Sequence, residues 1–292
     1  MQYIIPVGLV TAMGLLAGGI LTIADKFMAV KMDETAAKVL AALPGANCGA
    51  CGFAGCADYA NALAQDEEHA VKANLCTPGG DAVAMEVSSI LGVEFEGSSS
   101  MIAIMKCSGS RDKTSYAMEY QGRQTCKANK LFFRGRSACE KGCLGFGDCV
   151  DVCAYDAIKL ENGLAVINKY KCVGCGLCAR TCPNALIEIV PDKTRVVVGC
   201  SSVDPGKVTR EICSIGCIAC KICEKSCKFD AIHVVDNHAV IDYTKCTNCT
   251  LCAKKCPTGV IHVFPKLAGA AQPKPQPVLA ETAQAEASAR QV

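Results

Sequence analysis

The residues in this sequence that could do chemistry are overwhelmingly cysteines, 24 of them in 292 residues. Three runs share one spacing. Cys172, Cys175, Cys178 and Cys182 form C-x2-C-x2-C-x3-C and lead into Pro183. Cys217, Cys220, Cys223 and Cys227 repeat it without the proline, and Cys246, Cys249, Cys252 and Cys256 repeat it with Pro257. Thiolates at these intervals grip a [4Fe–4S] cluster. In two-cluster ferredoxins the first three cysteines of a run hold one cluster and the fourth crosses to the other. Disulfide scaffolds are short secreted modules, and zinc domains separate their cysteine pairs by longer loops. The chemistry implied is one-electron transfer.

Such runs come in pairs, and a partner for the first is found in an internal repeat. Residues 153–172, CAYDAIKLENGLAVINKYKC, align without gaps to residues 227–246, CKFDAIHVVDNHAVIDYTKC, with nine identities in twenty. The offset of 74 also carries Cys126 to Cys200, Cys139 to Cys213, Cys143 to Cys217 and Cys149 to Cys223. The stretch CEKGCLGFGDCVDVC (139–153) is therefore the first leg of a ferredoxin pair, with Phe146 where the second half has Cys220. Cys139 is the expected substitute ligand. The crossover rule then gives four ligand sets. One is Cys139, Cys143, Cys149 and Cys182; another is Cys153, Cys172, Cys175 and Cys178. The third is Cys217, Cys220, Cys223 and Cys256, and the fourth is Cys227, Cys246, Cys249 and Cys252.

Nearer the N-terminus, Cys48, Cys51 and Cys56 form C-x2-C-x4-C with Cys76 further on. Gly45, Gly49, Gly52 and Gly55 let the backbone wrap a cluster and aim N–H groups at its sulfurs. Four thiolates in a loop would also suit zinc, but the glycine-lined three-cysteine loop favours a fifth [4Fe–4S] cluster. Cys107, Cys126, Cys200 and Cys213 remain. Two of them end apolar runs in similar contexts, MIAIMKCSG and RVVVGCSS. A sixth cluster between the ferredoxin halves is the expectation for these four, with free buried thiols as the alternative.

These ligands need elements to hold them. Residues 1–24 carry no charged side chain and match the roughly 20 apolar residues that span a bilayer. Gly14 and Gly18 form a small-xxx-small face. A cleaved signal peptide would want a basic n-region and a shorter apolar core. Asp25, Lys26 and Lys31 follow the stretch, so the positive-inside rule puts the rest of the chain on the cytoplasmic side. Asp33 is a plausible N-cap for a helix that Pro44 and Gly45 end near Leu43. Two more helices are expected at 57–64 and 81–91. The fold class is α+β: a transmembrane anchor (1–25), a small, mostly helical [4Fe–4S] domain (33–95), and two tandem two-cluster ferredoxin-like units (100–190 and 191–265). A Pro/Ala/Gln-rich tail (266–292) reads as disordered.

Composition agrees. With no Trp and 5% aromatic residues, large side chains are too few for ordinary cores, and inorganic clusters would take their place. The net charge of +2 implies no nucleic-acid partner. No G-x-G-x-x-G, P-loop, Ser-His-Asp order or paired carboxylate stands out, so neither a flavin nor an NAD site is expected. His69, His233, His238 and His262 read as surface or packing residues. The segment RQTCKANKLFFRGR brings Arg123, Lys127, Lys130, Arg134 and Arg136 together with no acid, either as a solvated face or as a docking patch for an acidic redox partner.

The uncharged anchor, ANCGACGFAGC with its distant Cys76, and CEKGCLGFGDCVDVC leading into paired ferredoxin runs resemble the B subunit of the Rnf complex, in its long multi-cluster form. The resemblance covers nearly the whole chain. It implies a subunit of a ferredoxin:NAD+ oxidoreductase that moves Na+ or H+ across the cytoplasmic membrane, taking electrons from reduced ferredoxin and passing them to membrane subunits. Short members of the family carry one ferredoxin pair, so cluster numbering does not transfer from them. An iron–sulfur subunit of a membrane hydrogenase or molybdenum reductase is the alternative, although the loop with Cys76 argues against it. A zinc-stabilised membrane scaffold is the alternative from a different class.

Overall fold

The computed structural model describes residues 4–28, 33–66, 68 and 70–265. Helix α1 (Ile4–Met28) comes first. Its described side chains are exposed, among them Leu9, Met13, Leu15, Leu16 and Ile20. The hydroxyls of Thr11 and Thr22 donate to the carbonyls of Gly8 and Gly18, 3.0 and 2.7 Å away. The side chains of residues 4–7, 10, 21 and 23–28 lie outside the described residues, and among the described residues no helix is long and apolar enough to cross a membrane. His69 and the tail from residue 266 also lie outside them.

Three helices follow where the sequence places them: α2 (Glu34–Ala42), α3 (Cys56–Gln65) and α4 (Gly80–Leu91). Asp33 caps α2 by accepting the Thr35 N–H at 3.0 Å. Gly92 ends α4 with φ +68°, the left-handed conformation that costs glycine least. Val39, Leu43, Tyr59, Ala60, Leu63 and Val87 form the core between them, with Cys51, Cys56 and Cys76 packed on its edge. The Tyr59 hydroxyl donates to the Lys72 carbonyl at 2.7 Å and ties the loop carrying Cys76 to α3.

The remainder is a structural duplication. In the first half, strand β1 (Met101–Met105) pairs antiparallel with β4 (Ile187–Pro191), and β2 (Ile158–Glu161) with β3 (Leu164–Ile167). In the second half, β5 (Val196–Val198) pairs with β8 (Ile261–Val263), and β6 (Ile232–Val235) with β7 (His238–Ile241). Short helices α6 (Asp148–Asp151) and α7 (Leu177–Thr181) carry the cysteine legs of the first half. Their counterparts are α9 (Ile222–Ser226) and α10 (Leu251–Lys255). The helix starts of each pair differ by the sequence offset of 74. Helices α5 (Cys126–Lys130) and α8 (Gly206–Ile212) sit between β1 and α6 and between β5 and α9, and do not correspond by that offset.

The halves share apolar contacts. Ile102, Ile104 and Val190 of the β1–β4 ribbon pack with Val197 of β5, against Tyr243 and Phe264. Each half has otherwise a small core of its own, in which cysteines are as prominent as aliphatics. Val196, Val198, Ile232 and Ile261 pack with Cys200, Cys217 and Cys223; Ile158 and Ile187 pack with Cys178. Such cores bury little hydrocarbon for their length, so much of the folding free energy must come from elsewhere.

Candidate metal-cluster centres

Six groups of four cysteines emerge once the chain is folded. Cys48, Cys51, Cys56 and Cys76 lie within electrostatic reach of one another. Their loop is held by Asn47, whose Oδ1 accepts the Cys56 N–H at 2.9 Å. A β-carbon at Gly55 would lie 2.9 Å from that oxygen, so a larger residue there would displace the Asn47 side chain. Cys153, Cys172, Cys175 and Cys178 form a second group. Two of its thiols accept backbone N–H groups, Cys172 from Ala103 at 3.2 Å and Cys153 from Ala157 at 3.4 Å.

The second half supplies two more groups. Cys217, Cys220, Cys223 and Cys256 line a cavity of about 320 Å³. Cys227, Cys246, Cys249 and Cys252 line one of about 350 Å³. Cys227 accepts the Ala231 N–H at 3.4 Å, the same bond that Cys153 accepts in the first half. Burial pushes Cys256 upward, but hydrogen bonds from the Thr258 hydroxyl and amide and from the Val260 and Ile261 amides outweigh it and hold the thiol below its ordinary value.

The first leg differs from expectation. Cys143, Cys149 and Cys182 line a cavity of about 390 Å³, and the fourth thiol there is Cys126, not Cys139. Two hydrogen bonds explain it. The Asp148 carboxylate accepts the Cys126 N–H at 2.7 Å and the Lys127 N–H at 3.0 Å, anchoring the start of α5 beside the leg. The Cys126 sulfur then accepts backbone N–H groups from residues 146 to 148, in the segment where the second half has Cys220. Burial is the main reason the Cys149 thiol is pushed up to about 12, with Cys143, Cys126 and Cys182 adding to it.

Cys139 is drawn the other way. It lines a cavity of about 400 Å³ together with Cys107, Cys200 and Cys213. The Ser202 hydroxyl bonds to its sulfur, and the Cys213 thiol faces the same space. The expected sets Cys139/Cys143/Cys149/Cys182 and Cys107/Cys126/Cys200/Cys213 have thus exchanged one member each. Asp148, which holds the Cys126 and Lys127 amides, lies outside every cysteine spacing, so the spacing alone gave no sign of this placement.

Four of the quartets surround cavities. Among the described residues, no group of three or more His, Cys, Asp or Glu side chains could hold a single metal ion. The first-half quartet containing Cys175 lies against that of Cys48, Cys51, Cys56 and Cys76: Ala46 and Cys175 pack on the same core around Tyr155, and Cys48 adds to the burial that raises the Cys175 thiol. The Arg180 guanidinium also donates to the Cys48 carbonyl. Between them sits Tyr155, 4% exposed and packed with Ala46, Ala157 and Val173. Its hydroxyl has no partner among the described residues, and the thiols of Cys175, Cys48, Cys76 and Cys56 surround it.

The basic segment does not survive intact. Arg136 is stacked between the rings of Tyr116 and Phe146, 4.8 and 4.1 Å from their centroids, and is no free surface cation. Arg134 pairs with Glu140 at 3.0 Å, and the Lys130 ammonium donates to the Glu140 carbonyl at 3.3 Å. Arg123 and Lys127 remain exposed, beside an apolar tip in which Leu131 and Phe133 are 81% and 85% exposed. The histidines pack as expected where described. His262 bonds to the Ser108 hydroxyl at 2.6 Å, and His233 lies between Glu224 and Asp230.

Comparison with known proteins finds iron–sulfur domains on three stretches of the chain. The family model described as "Putative Fe-S cluster" matches residues 43–78, a 4Fe-4S binding domain matches 165–188, and a 4Fe-4S dicluster domain matches 216–260. The chain is 40% identical over 245 residues to the B subunit of the Na(+)-translocating ferredoxin:NAD(+) oxidoreductase complex of Acetobacterium woodii, covering 83% of this chain and 72% of that one. It is 37% identical over 242 residues to the B subunit of the ion-translocating oxidoreductase complex of Methanosarcina acetivorans, covering 82% and 90%. It is 39% identical over 237 residues to the B subunit of the proton-translocating ferredoxin:NAD(+) oxidoreductase complex of Clostridium ljungdahlii, covering 81% and 83%. With four-thiol centres in both ferredoxin-like halves and in the loop before them, the chain belongs to the family of B subunits of the Rnf-type ion-translocating oxidoreductase complexes.

Proposed function

We propose that this chain is the electron relay of such a complex, accepting electrons from reduced ferredoxin and passing them to redox centres in membrane subunits, with NAD+ reduction coupled to Na+ or H+ transport. The residues present fit [4Fe–4S] clusters: the donors are thiols in fours, backbone N–H groups point at the sulfurs, and the cavities are of one size class. Each bound cluster supplies a centre that takes up and releases one electron. The proposed ligands are Cys48, Cys51, Cys56 and Cys76; Cys153, Cys172, Cys175 and Cys178; Cys217, Cys220, Cys223 and Cys256; and Cys227, Cys246, Cys249 and Cys252. Cys143, Cys149 and Cys182 hold a further one.

The observation that carries the relay is the juxtaposition of Cys48 with Cys175, bridged by Arg180, which joins the juxtamembrane quartet to the ferredoxin-like units. Tyr155 and Val173 exclude water from that junction. Electrons enter at the ferredoxin-like units, where Arg123 and Lys127 beside an exposed apolar tip suit an acidic protein partner. They leave through the juxtamembrane quartet. Residues 1–25 anchor the chain in the membrane with the cluster units on the cytoplasmic side. The exposed leucines of α1 and the backbone-satisfied hydroxyls of Thr11 and Thr22 favour that placement. The domains follow at 33–95, 100–190 and 191–265, with the tail at 266–292.

The test is Cys48→Ala in the purified complex. Reduced ferredoxin should still bleach the remaining clusters, while ferredoxin-dependent NAD+ reduction is lost. Retained NAD+ reduction would show that electrons do not pass by this route.

A further inference from the structure

We infer that Cys107, Cys139, Cys200 and Cys213 form a further [4Fe–4S] site bridging the two ferredoxin-like units, and that Cys126 completes the cluster of Cys143, Cys149 and Cys182. The inference rests on the relay reading, but it concerns a centre that no cysteine run announces.

The first observation is size and lining. The bridging cavity, about 400 Å³, matches the about 390 Å³ of the neighbouring first-leg cavity, and each is lined by four thiols. A chance pocket among buried cysteines has no reason to contain four.

The second is an approximate twofold relation. Cys107 and Cys200 end equivalent strands: the Lys106 N–H donates to the Leu186 carbonyl at 2.7 Å, and the Gly199 N–H to the Val260 carbonyl at 2.8 Å. The Cys107 sulfur accepts backbone N–H groups from Gly109 and Cys143. That of Cys200 accepts them from Ser202 and Cys217, the corresponding residues. Cys139 and Cys213 each begin a tight turn, closed by the N–H of Gly142 onto Cys139 and of Gly216 onto Cys213. Two thiols from each unit therefore face one space in matched orientation. The Thr114–Cys213 and Tyr116–Ser137 bridges bind both units to the intervening strand-like segment and hold the pairs in place.

The third is economy of ligands. Phe146 occupies the position of Cys220, so the first leg lacks a thiol, and the Cys126 sulfur sits against the backbone of residues 146 to 148. Since Cys126 fills that place, Cys139 is released to pair with its repeat-mate Cys213. Every cysteine in the chain then belongs to a quartet.

Iron and acid-labile sulfide counts, with EPR, on the anaerobically purified full chain test this. Wild type should carry about 24 irons, about 4 for each of six clusters. Cys213→Ala should lose about 4, and Cys139→Ala/Cys213→Ala should lose no more, because both remove one cluster. Cys126→Ala should lose a different 4, and Cys126→Ala/Phe146→Cys should regain them by recreating the second-half pattern. If an alanine variant does not fold, Cys139→Ser and Cys213→Ser should shift one and the same EPR signal, and Cys126→Ser another. A wild-type count of about 20, or additive loss in Cys139→Ala/Cys213→Ala, overturns the inference and leaves the relay standing. A chain containing zinc and no iron overturns both.

Discussion

Tyr155 offers a quantitative test of how the two adjoining quartets work together. Its ring is buried between them, and its hydroxyl has no partner among the described residues while facing thiols of both groups. With a cluster bound nearby, the unpartnered hydroxyl would donate to one of its sulfides. A hydrogen bond to a charged acceptor contributes about 1.5–3 kcal/mol. Reduction adds a negative charge, so the bond is stronger to the reduced form, and a difference of about 1 kcal/mol is reasonable. For a one-electron couple, 59 mV is tenfold in the equilibrium constant, which makes that difference about 40 mV. Tyr155→Phe keeps the ring against Ala157 and Val173 and removes only the donor. An EPR-monitored redox titration should therefore find one cluster about 40 mV lower in potential, with iron content unchanged. The cluster-free protein should not lose stability from the same change, because there the hydroxyl is unpaired. An unchanged or raised potential would refute the reasoning.

Three further expectations follow from the fold. Ile104, 1% exposed where the β1–β4 ribbon meets β5, should cost about 2–5 kcal/mol when changed to Ala, read as lower thermal stability of both units together. Neutralising Arg123 and Lys127 to Gln should slow ferredoxin oxidation by up to about tenfold at low salt and flatten its salt dependence, while Arg136→Gln acts through stability instead. Burial raises the thiols of Cys149 and Cys178 from 9.0 to about 12, so the cluster-free fold favours their neutral forms. That stability is complete below pH 9 and is lost as pH rises towards about 12, so the cluster-free protein should melt progressively earlier across that window. Because ligation needs thiolates, iron loading should also release protons and improve with rising pH.

The cysteine runs were readable because their geometry is largely local: C-x2-C-x2-C brings three thiols to one cavity, and the crossover rule names the fourth from the partner run. Helix α2 was readable for a similar reason, since Asp33 caps its first turn and Pro44 and Gly45 follow its last. The allotment of Cys126 and Cys139 was not readable. It depends on the Asp148 carboxylate reaching 22 residues back to the Cys126 amide, and on β1 closing against β4 at the far end of the first half. The 74-residue offset matches Cys126 to Cys200, which line different cavities, whereas the strand-end likeness of MIAIMKCSG and RVVVGCSS pairs Cys107 with Cys200, which line the same one. Arg136 failed as a surface cation because a charge count cannot see the Tyr116 and Phe146 rings that enclose it.

The central claim is that this chain carries electrons from ferredoxin. It is tested most directly by mixing reduced ferredoxin with the anaerobically purified full chain and following cluster absorption by stopped flow. The account predicts bleaching that depends on ferredoxin concentration and on salt, with no reoxidation when NAD+ is added to the chain alone. Clusters that bleach with dithionite but stay oxidised in the presence of reduced ferredoxin would contradict it.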